Sequence, residues 1–185
     1  MTQAQLTVLA GPTAVGKGTV VAALTRRYPQ LRVSVSATTR APRPGEKEGV
    51  HYFFVSPREF DDMIERGDML EWALVHGTNK YGTPRGPVDE SLNAGVPVLL
   101  EIDLDGARQV RATRPDACFI FLAPPSWEEL ERRLIGRGTE GPEERERRLR
   151  TARIEMEAAS EFDHVVINDD IERTVDELAG LIGLE

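Results

Sequence analysis

A lysine that follows a glycine-spaced turn is the first place in this chain where chemistry could occur: Gly11-Pro12-Thr13-Ala14-Val15-Gly16-Lys17-Gly18-Thr19. A glycine, four residues and then Gly-Lys is a phosphate-binding spacing. The glycines let successive backbone N–H groups curl around phosphate oxygens, and the lysine reaches the terminal phosphates. In that pattern Ser or Thr directly after the lysine meets a magnesium ion; here Gly18 intervenes, so the hydroxyl falls to Thr19. A second set of cations lies in an irregular segment with two prolines and two glycines. There Arg40 and Arg43 stand three apart, beside Ser36 and upstream of Tyr52. Guanidinium forks and hydroxyls so placed can converge on one phosphate. A third set holds eight arginines between Arg132 and Arg153, with Arg137 between two glycines and Arg148 in the helical stretch beyond. Glycines on both sides of a cation mark a hinge, which fits a lid that closes over phosphates. Glu143, Glu144, Glu146 and Glu155 interleave with these arginines, so most of the arginines are expected to form a salt-bridged helix face and only one or two to reach a ligand.

Two anion sites and a cationic lid point to transfer of a phosphoryl group between two phosphorylated substrates. The barrier to that reaction is largely electrostatic, because highly charged groups must approach in line, and cations are therefore the catalyst. A phosphate monoester acceptor is mostly dianionic at neutral pH, its second pKa being about 6, and needs no general base. That agrees with His51, His76 and His164, which stand alone in strand-like segments and read as structural.

The elements that must position these residues follow from hydrophobic patterning. Leu6 to Ala10 is an apolar run that reads as a buried strand, and Thr19 to Leu24 as a helix packed on the sheet. Leu31 to Ser36 and Val50 to Val55 read as strands, and Ser56-Pro57-Arg58-Glu59 opens a helix with a Ser cap, proline at the first helical position and Glu at the capping-box position. Met69 to His76 is a strand, followed by the turn 77–80 and Tyr81-Gly82-Thr83-Pro84. Regular alternation then resumes: helix 87–94, strand 96–103 ending in acids, helix 107–114, strand 118–122, a second capping box at Ser126-Trp127-Glu128-Glu129, a long helix 143–162, strand 164–167 and a closing helix 171–182. Five core strands alternating with helices predict an α/β fold, a parallel five-stranded sheet with helices on both faces. The short strands and turns of 37–86 predict an inserted β-rich subdomain. The expected division is a core of 1–36, 87–131 and 163–185, the insert at about 37–86, and a helical lid with its flanking helices at about 132–162.

With 185 residues the chain suits one domain with a full core. Its formal charge of −8 argues against wholesale binding of nucleic acid or anionic membrane. Only Lys17, Lys47 and Lys80 are lysines, so arginine richness by itself carries no meaning and position does. Cys118, the single cysteine, lies in an apolar run and cannot form an internal disulfide, which fits a reduced, cytoplasmic protein with an inert thiol. The N-terminus has no basic region and leads straight into a strand, and no run approaches the ~18 apolar residues of a membrane span.

Together these stretches resemble the successive motifs of the guanylate kinase family: Gly11 to Lys17, Ser36 to Glu46, Val50-His51-Tyr52-Phe53-Phe54, Tyr81-Gly82-Thr83, Glu101-Ile102-Asp103, Gly136-Arg137-Gly138 and Ile167-Asn168-Asp169-Asp170. They occur in that order and cover nearly the whole chain. The second and third are the most specific, since the phosphate loop is shared by unrelated enzymes. The resemblance implies the nucleoside monophosphate kinase fold, with a GMP-binding insert and a mobile lid. It implies transfer of the γ-phosphoryl group of ATP to GMP, and dGMP, giving ADP and GDP in purine nucleotide recycling, with magnesium, as a monomer or weak homo-oligomer. Lys17 would hold the transferred phosphates and the loop Gly11 to Thr19, with Asn168, the rest of ATP. Arg40, Arg43, Tyr52 and Tyr81 would hold the GMP phosphate, with Ser36 nearby and Glu46 orienting the arginines. Glu71 would face guanine with Thr83, and Asp103 would lie near the bound nucleotides. Arg137 and Arg148 match lid arginines, and Thr19 the magnesium-binding hydroxyl. The chain departs from the family at Thr13 and Ala14, where Ser and Gly are usual, and at Gly18.

The Glu71 assignment has a physical basis. Guanine offers two adjacent donors, N1–H and the 2-amino group, to a carboxylate, whereas adenine presents a lone pair at N1. Two other readings stand beside this one. Guanylate-kinase-like domains of scaffolding proteins bind peptides without catalysis, but tend to lack a working phosphate loop. A related kinase could act on another phosphorylated acceptor, such as a different nucleotide or a ribose phosphate.

Overall fold

The computed structural model describes residues 4–136 and 140–185. Its elements run β1 (Leu6–Ala10), α1 (Lys17–Arg27), β2 (Arg32–Val33), β3 (Ala37–Thr38), β4 (Phe53–Phe54), α2 (Pro57–Glu65), β5 (Met69–Val75), β6 (Asn79–Pro84), α3 (Arg85–Asn93), β7 (Val98–Glu101), α4 (Leu104–Thr113), β8 (Cys118–Ala123), α5 (Trp127–Ile135), α6 (Pro142–Glu157), β9 (His164–Ile167) and α7 (Ile171–Ile182). A short 3-10 turn, Ala158–Glu161, follows α6.

The apolar run of β1 becomes the middle strand of a five-stranded sheet ordered β2-β7-β1-β8-β9, every pair parallel. Strand side chains alternate between faces, and β1 serves two cores accordingly. Leu9 packs with Val20, Leu24, Leu99, Ile120, Val166 and Leu178, the face covered by α1 and α7. Leu6, Val8 and Ala10 pack with Val88, Leu92, Leu100, Val110 and Phe119, the face covered by α3 and α4. A sheet covered on both sides needs no alternation, which explains why β8 is buried at every position. Because all five strands point the same way, the chain leaving β1, β7, β8 and β9 emerges along one edge. That edge gathers the glycine-rich turn, Glu101 to Asp103 and Asn168.

A second sheet, ordered β4-β3-β6-β5, lies between residues 37 and 84; β3 pairs parallel with β4 and antiparallel with β6, and β5 with β6 antiparallel. Its small core joins Ala37, Phe60 and Met69 with Phe53, Met63, Ile64 and Trp72. The α2 start is the capping box foreseen from sequence: Ser56 Oγ accepts from Glu59 N–H at 3.1 Å, and Glu59 Oε2 accepts from Ser56 N–H at 3.0 Å.

Two expected strands are shorter than their patterning. The stretch 31–36 is strand only at Arg32–Val33, because the chain leaves the large sheet there and enters the small one at Ala37. The stretch 50–55 is strand only at Phe53–Phe54, with an isolated bridge from Tyr52 to Glu48; Val50 is exposed, and Lys47 C=O accepts from both Val50 and His51 N–H, closing a turn around Gly49. Asp103, read as the end of a strand, is the N-cap of α4, accepting from Gly106 N–H at 2.8 Å. The long helix of 143–162 ends as α-helix at Glu157. Cys118 is buried and free, and burial pushes its thiol pKa up. Among the described residues no helix is long and apolar enough to cross a membrane.

Candidate active site

The turn between β1 and α1 is tight because its backbone is. Gly11 lies so near β8 that a Cβ on it would stand 2.4 Å from Leu122 C=O, a distance that excludes any side chain. Gly16 caps α1 with a φ of 97°, and Ala14 takes a left-handed φ of 71°, at a cost of about 1 kcal/mol for a residue with a Cβ. The first turn of α1, Lys17 to Thr19, presents free N–H groups at the positive end of the helix dipole.

Lys17 folds back over the turn, its Nζ donating to Gly11 C=O at 2.7 Å. Burial lowers its ammonium pKa, while Glu155, Glu101 and Asp103 oppose that shift. Three carboxylates thus stand in for the anion that a phosphate would supply. Asn168 does not face outward: it is buried, its Nδ2 donates to Val15 C=O at 2.9 Å, and its Oδ1 accepts from Thr174 Oγ1 at 3.2 Å. It braces the turn from behind.

Register in the small sheet assembles the second cation site. Thr38 lies opposite Tyr81, so the chain leaving β3 carries Arg40 to the Tyr81 hydroxyl, Nε donating at 3.2 Å. The Arg40 fork meets Glu46 in two hydrogen bonds of 2.9 and 3.0 Å, and Nη1 also reaches Ala41 C=O at 2.9 Å. Its guanidinium stands over the Tyr52 ring at 5.3 Å, and Tyr52 meets Tyr81 edge to face with ring centroids 6.0 Å apart. Four of the five guanidinium N–H groups are therefore engaged. The Arg40 hydrogen bonds, with one from Arg43 N–H, pull the Glu46 carboxyl down to about 2. The Arg43 side chain is exposed and makes no ion pair among the described residues. Ser36 stands half-buried where the chain passes between sheets.

The same register sets Glu71 directly opposite Thr83, and Thr83 Oγ1 donates to Glu71 Oε1 at 2.7 Å. Both residues are buried, and Glu71 has no ion pair among the described residues. Burial raises the Glu71 carboxyl pKa; the Thr83 hydrogen bond lowers it and nearby Asp103 raises it further. A buried carboxylate without a cation is costly unless donors arrive from elsewhere. The Thr83 proton is directed at Glu71, so this hydroxyl fixes the carboxylate rather than standing free to donate outward.

Of the acids expected to pair with the arginines of 132–153, Glu144 and Glu146 do so among the described residues, and Glu129 and Glu140 take others. Arg132 and Arg133 pair with Glu129, Arg147 with Glu144, and Arg150 with Glu146, while Arg153 lies over the Trp127 ring at 5.1 Å. Arg148 is held by Glu140 at 2.6 Å and Glu144 at 3.7 Å, and no hydrogen bond or ion pair joins it to the glycine-rich turn among the described residues. Arg137 lies outside the described residues. Sequence reasoning missed three residues of this region. Arg133 on α5 donates to Val15 C=O at 3.3 Å. Glu101 lies 4.0 Å from the position of a Cβ on Gly18. Glu155 makes no ion pair among the described residues; with Thr13 and Asp103 it lines a cavity of about 330 Å³ between the turn, α4 and α6. Of the three, only Glu101 carried a signal, its place at the end of an apolar strand.

Comparison with known proteins matches the same features. The family model described as guanylate kinase covers residues 3–185. The chain is 60% identical over 178 residues to the guanylate kinase of Thermobifida fusca (strain YX), covering 96% of this chain and 90% of that one. It is 59% identical over 177 residues to that of Streptomyces coelicolor, covering 96% and 89%. The crystal structure of guanylate kinase from Anaplasma phagocytophilum superimposes with a TM-score of 0.71 at 35% identity, over 97% of this chain and 84% of that one. A shikimate kinase from Bacteroides thetaiotaomicron, at 16% identity and a TM-score of 0.52, shares the fold alone. Similarity that runs from residue 3 to residue 185, through both sheets and the turn between β1 and α1, makes this chain a member of the guanylate kinase family.

Proposed function

We propose that the chain is an ATP:GMP phosphotransferase, a nucleoside monophosphate kinase that moves the γ-phosphoryl group of ATP to GMP. The observation that carries the choice of acceptor is the buried, cation-free Glu71 carboxylate fixed by Thr83 in the sheet that also holds Arg40. Guanine N1–H and its 2-amino group supply the two donors this carboxylate lacks. Adenine sets a lone pair against it. By analogy with base readout such a pair is worth about 1–3 kcal/mol of discrimination, and an unpaired buried carboxylate penalises the wrong base further.

Each remaining residue acts on charge. Lys17 turns from Gly11 C=O to the transferred phosphate, and the first-turn N–H groups of α1 take the neighbouring oxygens. Arg40, held rigid by Glu46, offers its free N–H to the GMP phosphate together with Arg43, Tyr52 and Tyr81, with Ser36 beside them. Arg137 and Arg148 belong to the lid, which brings cations to the transferring group as it closes. Asp103 stands between the two nucleotides. Asn168 serves ATP through Val15, by holding the loop in shape. The GMP phosphate is its own nucleophile, in line with the γ-phosphorus, and requires no base.

Magnesium accompanies ATP, and the donors present fit it. Among the described residues no three acidic or His/Cys side chains form a ready cage, as expected for an ion that takes most ligands from phosphate and water. Thr19, and Glu101 beside Gly18, would supply its protein oxygen ligands. Once bound it neutralises charge on the phosphates. Replacing Glu71 by Gln tests the reading: preference for GMP over AMP should fall by about tenfold or more, with the KM for ATP unchanged. Equal losses for both nucleotides would contradict it.

A further inference from the structure

We infer that Gly106 and Gln109, on the first two turns of α4, are positioning residues that set the guanine-facing carboxylate of Glu71. The inference rests on the reading of Glu71 given above. β5 is an edge strand of the small sheet, so the residue after Glu71 has main-chain groups with no strand beside them. Gln109 takes that place. Trp72 N–H donates to Gln109 Oε1 at 3.1 Å, and Gln109 Nε2 donates to Trp72 C=O at 2.9 Å. A primary amide carries both an acceptor and donors, and here it completes the ladder as a short strand would.

One turn earlier, α4 presents bare backbone. A Cβ on Gly106 would stand 3.1 Å from Glu71 Oε2 and 3.1 Å from Asp103 Oδ1, closer than a side chain fits without displacing one of them. Glu71 thus has Thr83 on one oxygen and the α4 backbone beside the other. α4 belongs to the large sheet, packed beneath it through Ala107 and Val110. The carboxylate on the small sheet is therefore registered against the large sheet that carries Lys17: Leu70 beside it is buried in that sheet's core, and α4 adds two hydrogen bonds to Trp72 and the bare backbone of Gly106.

The consequence is specificity rather than bulk stability. Gln109→Met keeps the side-chain length and removes both hydrogen bonds. Gly106→Ala adds only the Cβ. The measurement is kcat/KM for GMP and for IMP, which lacks the 2-amino group, together with the KM for ATP and thermal unfolding. It is made for wild type, each variant, Glu71→Gln and the two double variants. Each single variant should lower the GMP-over-IMP preference by about tenfold, mainly through the KM for GMP, since a small misplacement at such a contact is costly; the KM for ATP should not move. Gly106→Ala should do so with little change in thermal stability, because alanine's better helix propensity offsets the strain it puts on the Asp103 cap. Neither change should reduce the preference further when Glu71 is already Gln. Unchanged preference in both variants, or losses that add in full to that of Glu71→Gln, would overturn the positioning role. A wild-type preference in Glu71→Gln alone would overturn the guanine reading and this inference with it.

Discussion

Lys17, half-buried, and Glu71, buried, are groups whose charge the protein leaves partly unanswered. Lys17 is met by a carbonyl and three carboxylates at a distance, and Glu71 by one hydroxyl. Lys17→Ala should lower turnover by ~10²-fold or more, because a preorganised cation at the transferring group is lost, while GMP affinity measured by titration stays near wild type. Glu71 makes a pH prediction whose sign follows from burial. A carboxyl held above its ordinary value of 4.5 binds its proton more tightly when folded. Its contribution to stability is therefore complete below that value and is lost as pH rises through the raised one. Glu71→Gln should be more thermostable than wild type at neutral pH and lose that advantage at about pH 4; a variant less stable at both pH values would contradict the account. Part of this site could be read from residue types and spacing, which set Arg40 near Tyr52; Glu46 and Tyr81 follow only from the family resemblance. All four do come together, because guanidinium, carboxylate and phenol groups have strong mutual preferences. Glu155 could not be read. In an arginine-dense helix, pairing one turn away is the default expectation, and only the packing of α6 over the β1–α1 turn shows that it faces Lys17 instead.

At the scale of elements, the glycine-rich turn is held in shape by parts of the chain far from it in sequence. Val15 C=O accepts from Asn168 at the end of β9 and from Arg133 on α5, and Thr174 on α7 orients Asn168. Asn168→Ala removes one of the two donors to Val15 C=O, while Thr174 keeps Asp170 C=O as acceptor at 2.8 Å, at a cost of about 1–3 kcal/mol. The melting temperature should fall by roughly 2–4 °C per kcal/mol for a chain of this size, and the KM for ATP should rise while that for GMP stays constant. A variant with wild-type melting and ATP KM would show that the brace is dispensable. Sequence patterning located the elements well where a strand is buried on both faces, as in β1 and β8, or where a cap begins a helix, as at Ser56 and Ser126. It overran at 31–36 and 50–55. Strand length is decided by an available partner rather than by β-branched or aromatic content, and the chain changes sheets at Ser34 to Ser36 and turns at Gly49.

For the whole molecule, a formal charge of −8 coexists with a cleft built around cations. The two sheets divide the work. The large one carries the glycine-rich turn at its strand ends, and the small one carries Arg40, Tyr52, Tyr81 and Glu71. Chain crossings near residues 34–36 and 84–85, the α4–β5 contact and the burial of Leu70 in the large-sheet core relate them. Topology of this kind could be expected from β-helix alternation interrupted by short strands; the Gln109 contact that joins the sheets could not, since a glutamine within a helix carries no pattern. The central claim is that two phosphate-holding sites on these sheets bring ATP and GMP end to end. The most direct test is coupled turnover of the purified protein with ATP against GMP, dGMP, AMP, CMP, UMP and ribose phosphates. The account predicts ADP release with GMP at least about tenfold above that with AMP, CMP or UMP; release with GMP no faster than in buffer alone would contradict it.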